Sequence, residues 1–317
     1  MGSRALVRRV LVLRPGAIGD TLVTLPALAA LRAQFPAARI EVVGNATALP
    51  VVEAAGCADR WYAFDDPRVT RLFMTAAPAA DDPFLAQDVV VAWGRDPDGT
   101  LQRSFERRGA RQVVLAPSRP PPSEPIHVAR HLLRSLAPLD IDATAALGLP
   151  QIVLPEAVER AAADELDAAD LADTPFVAVH VGSGSPAKNW PTASFASVVQ
   201  ALAACDGPSS VVLAGPADRD AIVALQDGDG PPRTILEGRP LLLVAAILKR
   251  ARGFLGNDSG LSHLAGVLGV PTLTLFGPTD PVNWSPLGPR VRTLRSEPLT
   301  ALPPDRVLAA LRELLAL

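Results

Sequence analysis

Apolar residues along the chain fall into short runs that alternate with helical stripes. Residues 7–13, 40–43, 61–64, 89–93 and 112–115 are β-rich runs of strand length. Between them, 21–31 has a helical pattern kinked or restarted at Pro26, and 51–55 suits a short helix ended by Gly56. A proline-dense loop at 116–125 leads into a helix over 126–136, and 148–155 reads as a hinge. A second series follows: helix 156–169, strand 176–181, helix 194–204, strand 210–214, helix 218–225, short strand 235–236 and helix 241–249. Then come a strand from Gly253 and a tight turn at Gly256, Asn257, Asp258, Ser259 and Gly260. Leu261, Leu264, Ala265 and Leu268 next form one apolar helical face, ahead of a strand over 272–276. An amphipathic helix over 303–315 closes the sequence. Strands alternating with helices predict parallel sheets with crossover helices. The expected architecture is α/β, two Rossmann-like parallel-sheet domains facing a cleft, over 1–150 and 151–317. The closing helix is placed to pack back on the N-terminal domain.

Composition narrows the class. With 49% hydrophobic and 20% charged residues the chain builds a core and is not disordered. A net charge of −3 argues against a dedicated nucleic-acid binder. Cys57 and Cys205 have neither metal-ligand nor disulfide spacing, and read as buried free thiols of a reducing compartment. Arg4, Arg8 and Arg9 precede an apolar run of only 10–13, too short for a signal-peptide core of roughly 7–15 residues. The longest uncharged apolar run, 241–248, is far below the ~18 needed to cross a bilayer. These features predict a cytoplasmic protein.

Charge is unevenly spread. Residues 103–134 hold seven arginines against Glu106 and Glu124, which reads either as a solvated face or as a contact for an anionic partner. His127 and His131 stand four apart there without an acidic third ligand, so no metal site is expected. Asp65, Asp66, Asp81 and Asp82 lie in proline-rich stretches read as surface loops and are set aside as metal carboxylates. Lysine occurs only as Lys188 and Lys249 against 28 arginines, so each invites a specific reason.

Three loops follow predicted strands, where open parallel sheets place ligands. In Gly16-Ala17-Ile18-Gly19-Asp20 the aspartate is either a helix cap or a general base for a sugar hydroxyl. The stretch from His180 to Pro191, HVGSGSPAKNWP, superficially fits G-x-G-x-x-A, but Pro186 and Pro191 prevent the immediate helix that a dinucleotide fingerprint needs. Lys188 there could stabilise charge on a departing phosphate. The third loop gathers Asp258, Ser259, Gly260, Leu261, Ser262 and His263 at a helix start, a natural phosphate site. After strand 210–214, Asp218 or Asp220 could accept from ribose hydroxyls.

Together these loops resemble glycosyltransferase family 9, the heptosyltransferase-like enzymes, most strongly in RPGAIGDTLVTLPAL (14–28), GSGSPAKNWP (182–191) and NDSGLSHLAGVLGVPTLTLFGPT (257–279). The resemblance implies a GT-B fold with the donor nucleotide held mostly by the C-terminal domain. It further implies inverting, metal-independent transfer of a sugar from a nucleotide diphosphate, commonly ADP-heptose, with no other cofactor. Asp20 matches the family's base, and Lys188 the lysine on the donor phosphates, with Ser183 nearby. Asp258, Ser259, Gly260, Leu261, Ser262 and His263 match the loop holding the diphosphate and sugar, and Asp218 or Asp220 the ribose contact. Gly19, Arg130 and Arg134 are then expected at an anionic glycan or lipid-linked acceptor, with transient contact at the inner membrane surface. Ser259 and Gly184 depart from the threonines frequent in the lipopolysaccharide enzymes. Two other readings compete. A nicotinamide-dependent oxidoreductase lacks its glycine fingerprint here, and a non-catalytic sugar-nucleotide binder would not need both Asp20 and Lys188.

Overall fold

The computed structural model describes residues 6–142, 144, 147–204, 208–215, 218–226 and 234–316; Arg4, Cys205, Pro216 and Ala217 lie outside the described residues. The chain divides into two units, Met1–Val153 and Leu154–Leu317.

The first unit runs β1 (Arg9–Leu13), α1 (Ile18–Leu22), α2 (Leu25–Gln34), β2 (Arg39–Gly44), α3 (Leu49–Ala54), β3 (Arg60–Ala63), α4 (Pro67–Thr70), β4 (Val89–Trp93), α5 (Thr100–Arg107), β5 (Gln112–Ala116) and α6 (Val128–Arg134). Its five strands are all parallel, in the order β3-β2-β1-β4-β5. Strands covered on both faces read as unbroken apolar runs, as β1 and β4 do. Leu11, Leu13, Val90 and Ala92 pack with Phe84, Leu101 and Phe105 in a core of this unit. The pattern interrupted at Pro26 resolves into two helices. Pro26 sits in the first turn of α2, where its missing N–H leaves no bond unmade.

The second unit runs α7 (Glu156–Asp167), β6 (Phe176–His180), α8 (Thr192–Ala203), β7 (Ser209–Ala214), α9 (Arg219–Gln226), β8 (Thr234–Glu237), α10 (Leu241–Arg250), β9 (Gly253–Asn257), α11 (Gly260–Val267), β10 (Thr272–Phe276), α12 (Pro281–Trp284), β11 (Val291–Arg295) and α13 (Pro304–Leu315). Its six parallel strands follow the order β11-β10-β9-β6-β7-β8. The closing helix α13 buries Val307, Ala310, Leu311 and Leu315 in the core of this second unit, against α8 and β10. Its apolar face therefore packs within this unit.

Four elements escape the sequence pattern: the short helices α4 and α12, helix α5 and strand β11. Among the described residues edge strand β11 pairs only with β10 and is half-buried, so VRTLR lacks the continuous apolar run of its neighbours. Helix α5 buries only Leu101, Ser104 and Phe105, and Asp96 fixes its start by accepting from the N–H groups of Leu101 and Gln102, both at 2.9 Å.

Strand order singles out two places. In each sheet the order reverses once, between β1 and β4 in the first and between β6 and β9 in the second. Ligands of open α/β sheets bind beyond the carboxyl ends of strands at such a reversal. The loops after β1, β6 and β9 are the three marked by the sequence.

Candidate active site

In the second unit, β6 ends at His180 and β9 at Asn257, and the register sets His180 beside Gly256. Fully buried Asn257 ties the two following loops together. Its amide donates to the carbonyl of Val181 at 2.8 Å, and its oxygen accepts from the N–H of Trp190 at 3.0 Å. The Trp190 ring packs edge-on to Phe195 and donates to the carbonyl of Leu302 at 3.0 Å, anchoring the far end of the lysine loop. Lys188 closes a 3₁₀ turn, Pro186–Lys188, and α8 begins only at Thr192, which removes the dinucleotide geometry that G-x-G-x-x-A would need.

Lys188 Nζ donates to Asp258 Oδ2 at 2.7 Å, and the Thr279 hydroxyl donates to the same oxygen at 2.6 Å. Asp258 is buried, whereas the lysine side chain keeps 29% exposure. Beside them α11 starts with Ser259 as N-cap, its hydroxyl accepting from no backbone N–H of the helix and standing 3.5 Å from the Ser262 hydroxyl. Ser262 is buried and directs its hydroxyl back to the Asn257 carbonyl, and His263 is buried one position further on. Gly260 and Leu261 are half-buried at the helix start. The arrangement sets one ammonium and the positive end of a helix side by side, which suits an anion carrying two phosphates.

Two expected donor residues turn inward. The Ser183 hydroxyl is engaged within its own loop, 2.6 Å from Asn189 Oδ1 and 2.7 Å from the Ser185 carbonyl. Asp218 is buried, accepting from the Gly215 N–H at 2.7 Å and standing 3.0 Å from His180 Nε2. Burial pushes its carboxyl up, but the hydrogen bond and charge of His180 and the Gly215 N–H outweigh this and hold it below the ordinary value. A Cβ on Gly182 would lie 1.5 Å from Asp218 Oδ1, so only glycine fits there. Asp220, the other ribose alternative, is exposed.

In the first unit Asp20 is the third residue of α1, not its cap. One carboxylate oxygen accepts from the Ala17 N–H at 3.0 Å, and the other lies 3.1 Å from Arg14 Nη2. Arg14 is buried, and its Nε also reaches the Asp20 carbonyl at 3.2 Å and Thr24 Oγ1 at 3.3 Å. Burial lowers the Arg14 pKa, the Asp20 charge opposes this, and nearby Arg119 adds to the lowering. Gly16 has φ +140°, and a side chain there would strike the Asp20 Cβ at 2.6 Å. The carboxylate is thus fixed at the reversal of the first sheet, with Gly19 beside it. Nothing in the sequence pattern marked Arg14 or Asn257 as supports, because both act through contacts made only in the fold.

Elsewhere the structure redistributes several residues. Arg134 pairs with Glu124 at 2.6 Å on the surface, four residues after Arg130. His127 is the N-cap of α6, accepting from the Ala129 N–H at 3.1 Å, while His131 Nε2 lies 2.9 Å from the Pro117 carbonyl. Among the described residues no group of three His, Cys, Asp or Glu side chains could hold a metal ion. Asp82, expected in a surface loop, is instead buried in an ion pair with Arg108 at 2.9 Å. Lys249 stands 3.4 Å from Glu159, which Arg250 also meets at 2.8 Å, so it helps join α10 to α7. Among the described residues no helix is long and apolar enough to cross a membrane.

The comparisons agree with this geometry. The chain is 24% identical over 295 residues to lipopolysaccharide heptosyltransferase 3 of Escherichia coli, covering 84% of this chain and 83% of that protein. It is 34% identical over 126 residues to lipopolysaccharide heptosyltransferase 1 of Pseudomonas aeruginosa, covering 37% and 34% of the two. Among solved structures it superposes on a glycosyl transferase family 9 protein from Veillonella parvula with a TM-score of 0.82 at 20% identity, over 98% of this chain and 97% of the other. The E. coli ADP-heptose lps heptosyltransferase II gives 0.76 at 20% identity, over 97% and 98%. These likenesses establish the GT-B fold. The profile described as glycosyltransferase family 9 (heptosyltransferase) matches residues 103–308, more than half of the sequence, and the chain therefore belongs to that family of glycosyltransferases.

Proposed function

We propose that this enzyme transfers a heptose from ADP-heptose to a hydroxyl of an anionic, lipid-linked glycan of the lipopolysaccharide core, with inversion and without a metal ion. The observation that carries the reading is the pairing of Lys188 with the uncapped start of α11 at the strand-order reversal of the second sheet. Structures of E. coli heptosyltransferase WaaC include complexes with ADP and with ADP-2-deoxy-2-fluoro heptose.

The chemistry balances in one displacement. Asp20 takes the proton of the acceptor hydroxyl, whose oxygen bonds to the anomeric carbon as the bond to the diphosphate oxygen breaks. The electron pair leaves with ADP, and Lys188 and the first-turn N–H groups of α11 receive its charge. A single attack from the opposite face inverts the anomeric centre. In this reading residues 151–317 form the donor domain and 1–150 the acceptor domain. Asp258, Ser259, Gly260, Leu261, Ser262 and His263 line the donor's diphosphate and sugar, while Ser183, its hydroxyl engaged within the lysine loop, shapes that loop. Because Asp218 faces inward, the ribose contact falls to exposed Asp220. Gly19, Arg130 and Arg134 meet the anionic acceptor, whose lipid anchor brings the enzyme to the cytoplasmic membrane face.

The test is transfer from ADP-heptose to a heptose-deficient lipopolysaccharide core, with the product's anomeric configuration read by NMR. Asp20→Asn keeps the size of the side chain and should lower kcat by roughly 10²–10⁴-fold, with ADP affinity retained. Thermal unfolding of the variant checks that buried Arg14 tolerates the lost charge. Near-normal turnover by Asp20→Asn would remove the base assignment.

A further inference from the structure

A buried chain of three side chains, Asp218, His180 and Ser259, takes part in no step of the transfer. His180 is 4% exposed and has both ring nitrogens engaged, Nε2 at 3.0 Å from Asp218 Oδ2 and Nδ1 at 3.1 Å from Ser259 Oγ. Asp218 is held in its ionised form, so its carboxylate only accepts. Nε2–H therefore donates to it; in the neutral ring Nδ1 is then an acceptor for the Ser259 hydroxyl, and in the charged ring Nδ1–H donates to Ser259 Oγ, so the ring holds Ser259 in both states. Ser259 is the N-cap of α11. A serine there ordinarily accepts from the N–H of the second or third helical residue, here Leu261 or Ser262. It makes no such bond. Ser262 donates its hydroxyl to the Asn257 carbonyl and meets Ser259 only hydroxyl to hydroxyl, at 3.5 Å. The helix thus carries a capping residue whose cap is withheld.

We propose that His180 is a positioning residue for the donor: by holding Ser259 Oγ off the backbone N–H groups of α11 it keeps them available to diphosphate oxygens, and Asp218 fixes the ring orientation that does so. The inference rests on the reading that the start of α11 receives the diphosphate. It gives Asp218 a role through His180 in place of contact with the ribose, and it explains why position 182 admits only glycine, since a Cβ there would displace Asp218.

Two substitutions separate the halves of the chain. In His180→Gln the amide reaches toward the Nε2 position, keeping a partner for Asp218 but offering Ser259 no acceptor. In His180→Asn the carbonyl lies near the Nδ1 position, keeping Ser259 but stranding Asp218. Calorimetric titration with ADP should show His180→Gln binding roughly three- to tenfold more weakly, the size of one N-cap hydrogen bond, with donor KM raised more than kcat is lowered. His180→Asn should bind ADP like the unmodified enzyme although its Tm falls further. Adding Ser259→Ala to His180→Gln removes the hydroxyl that would cap α11 and should return affinity toward the original value. A merely structural role predicts the reverse order, with affinity following Tm. That order, or a double variant no tighter than His180→Gln, overturns the proposal. Titrating the unmodified enzyme and Lys188→Ala with ADP and with pyrophosphate keeps the two readings distinct. If neither probe binds, or if Lys188→Ala binds ADP undiminished, the diphosphate site fails and this inference falls with it. If those titrations behave as expected and the His180 series is flat, this inference alone fails.

Discussion

Lys188 is one of two lysines in a chain with 28 arginines, and its surroundings explain the choice. An ammonium on a flexible stem can rest on Asp258 and turn to a phosphate, whereas a planar guanidinium would lock onto the carboxylate through two bonds. Lys188→Ala should weaken ADP binding by about 10- to 100-fold, the worth of a hydrogen bond to a charged group. It also leaves the buried Asp258 carboxylate beside the site without its cation. Lys188→Ala/Asp258→Asn should therefore bind ADP more tightly than Lys188→Ala in the same titration. Equal affinities would show that the Asp258 charge is not felt there. Cys57 illustrates burial outweighing a nearby charge. Burial pushes its thiol up to about 11, with the charge of Arg32 working against the shift. At pH 8 only about one molecule in a thousand is then the thiolate. Iodoacetamide should label Cys57 after denaturation and not before, as peptide mass spectrometry would read.

At the scale of elements, strands with both faces covered were legible and thinner ones were not. β1, β4, β6, β9 and β10 carry unbroken apolar runs or sit beside glycine turns, so their sequences declare them. β11 and α5 do not, because an edge strand and a helix with one narrow stripe need little apolar surface. The segment before β4 shows a deeper failure. Proline and paired aspartates read as surface, yet Asp82 accepts from Arg108 and from the Phe84 N–H in the interior. Arg108 also donates to the Ser104 carbonyl and hydroxyl, so the pair joins that segment to α5. Arg108→Met strands a buried carboxylate and should cost about 3–5 kcal/mol of stability, by chemical denaturation. Arg108→Met/Asp82→Asn removes the charge as well and should cost clearly less; equal losses would show that packing, not charge, carries the effect.

For the whole molecule, both sheets reverse strand order once, and the three sequence-marked loops follow strands at those reversals. Residue types alone could not supply that coincidence; it depends on which strand pairs with which. Donor preference belongs to this scale, since a ligand bound only by the folded chain stabilises all of it. At 100 times its dissociation constant the true donor should raise stability by ~2.7 kcal/mol. A thermal-shift comparison of ADP-, GDP-, UDP- and dTDP-sugars should therefore single out the adenine nucleotide. A larger shift with another base would overturn the ADP assignment and leave the family intact.

The sequence by itself determined what is local: the alternation of strands and helices, the two-part α/β organisation, the glycine turns, and the motifs that carry the family resemblance. Each depends on residues a few positions apart, where periodicity and backbone preference act directly. Tertiary structure alone decided which of those residues stay open at the strand ends and which support others. His180 meets Ser259 across 79 positions and Asp218 across 38, and Asn257 reaches back 76 to Val181. Such contacts leave no periodic trace, because they arise only when the sheet brings distant strand ends side by side. For that reason Asp218, read from its motif as a ribose contact, is held inside, and Ser259, read as part of the diphosphate loop, has its hydroxyl turned to His180.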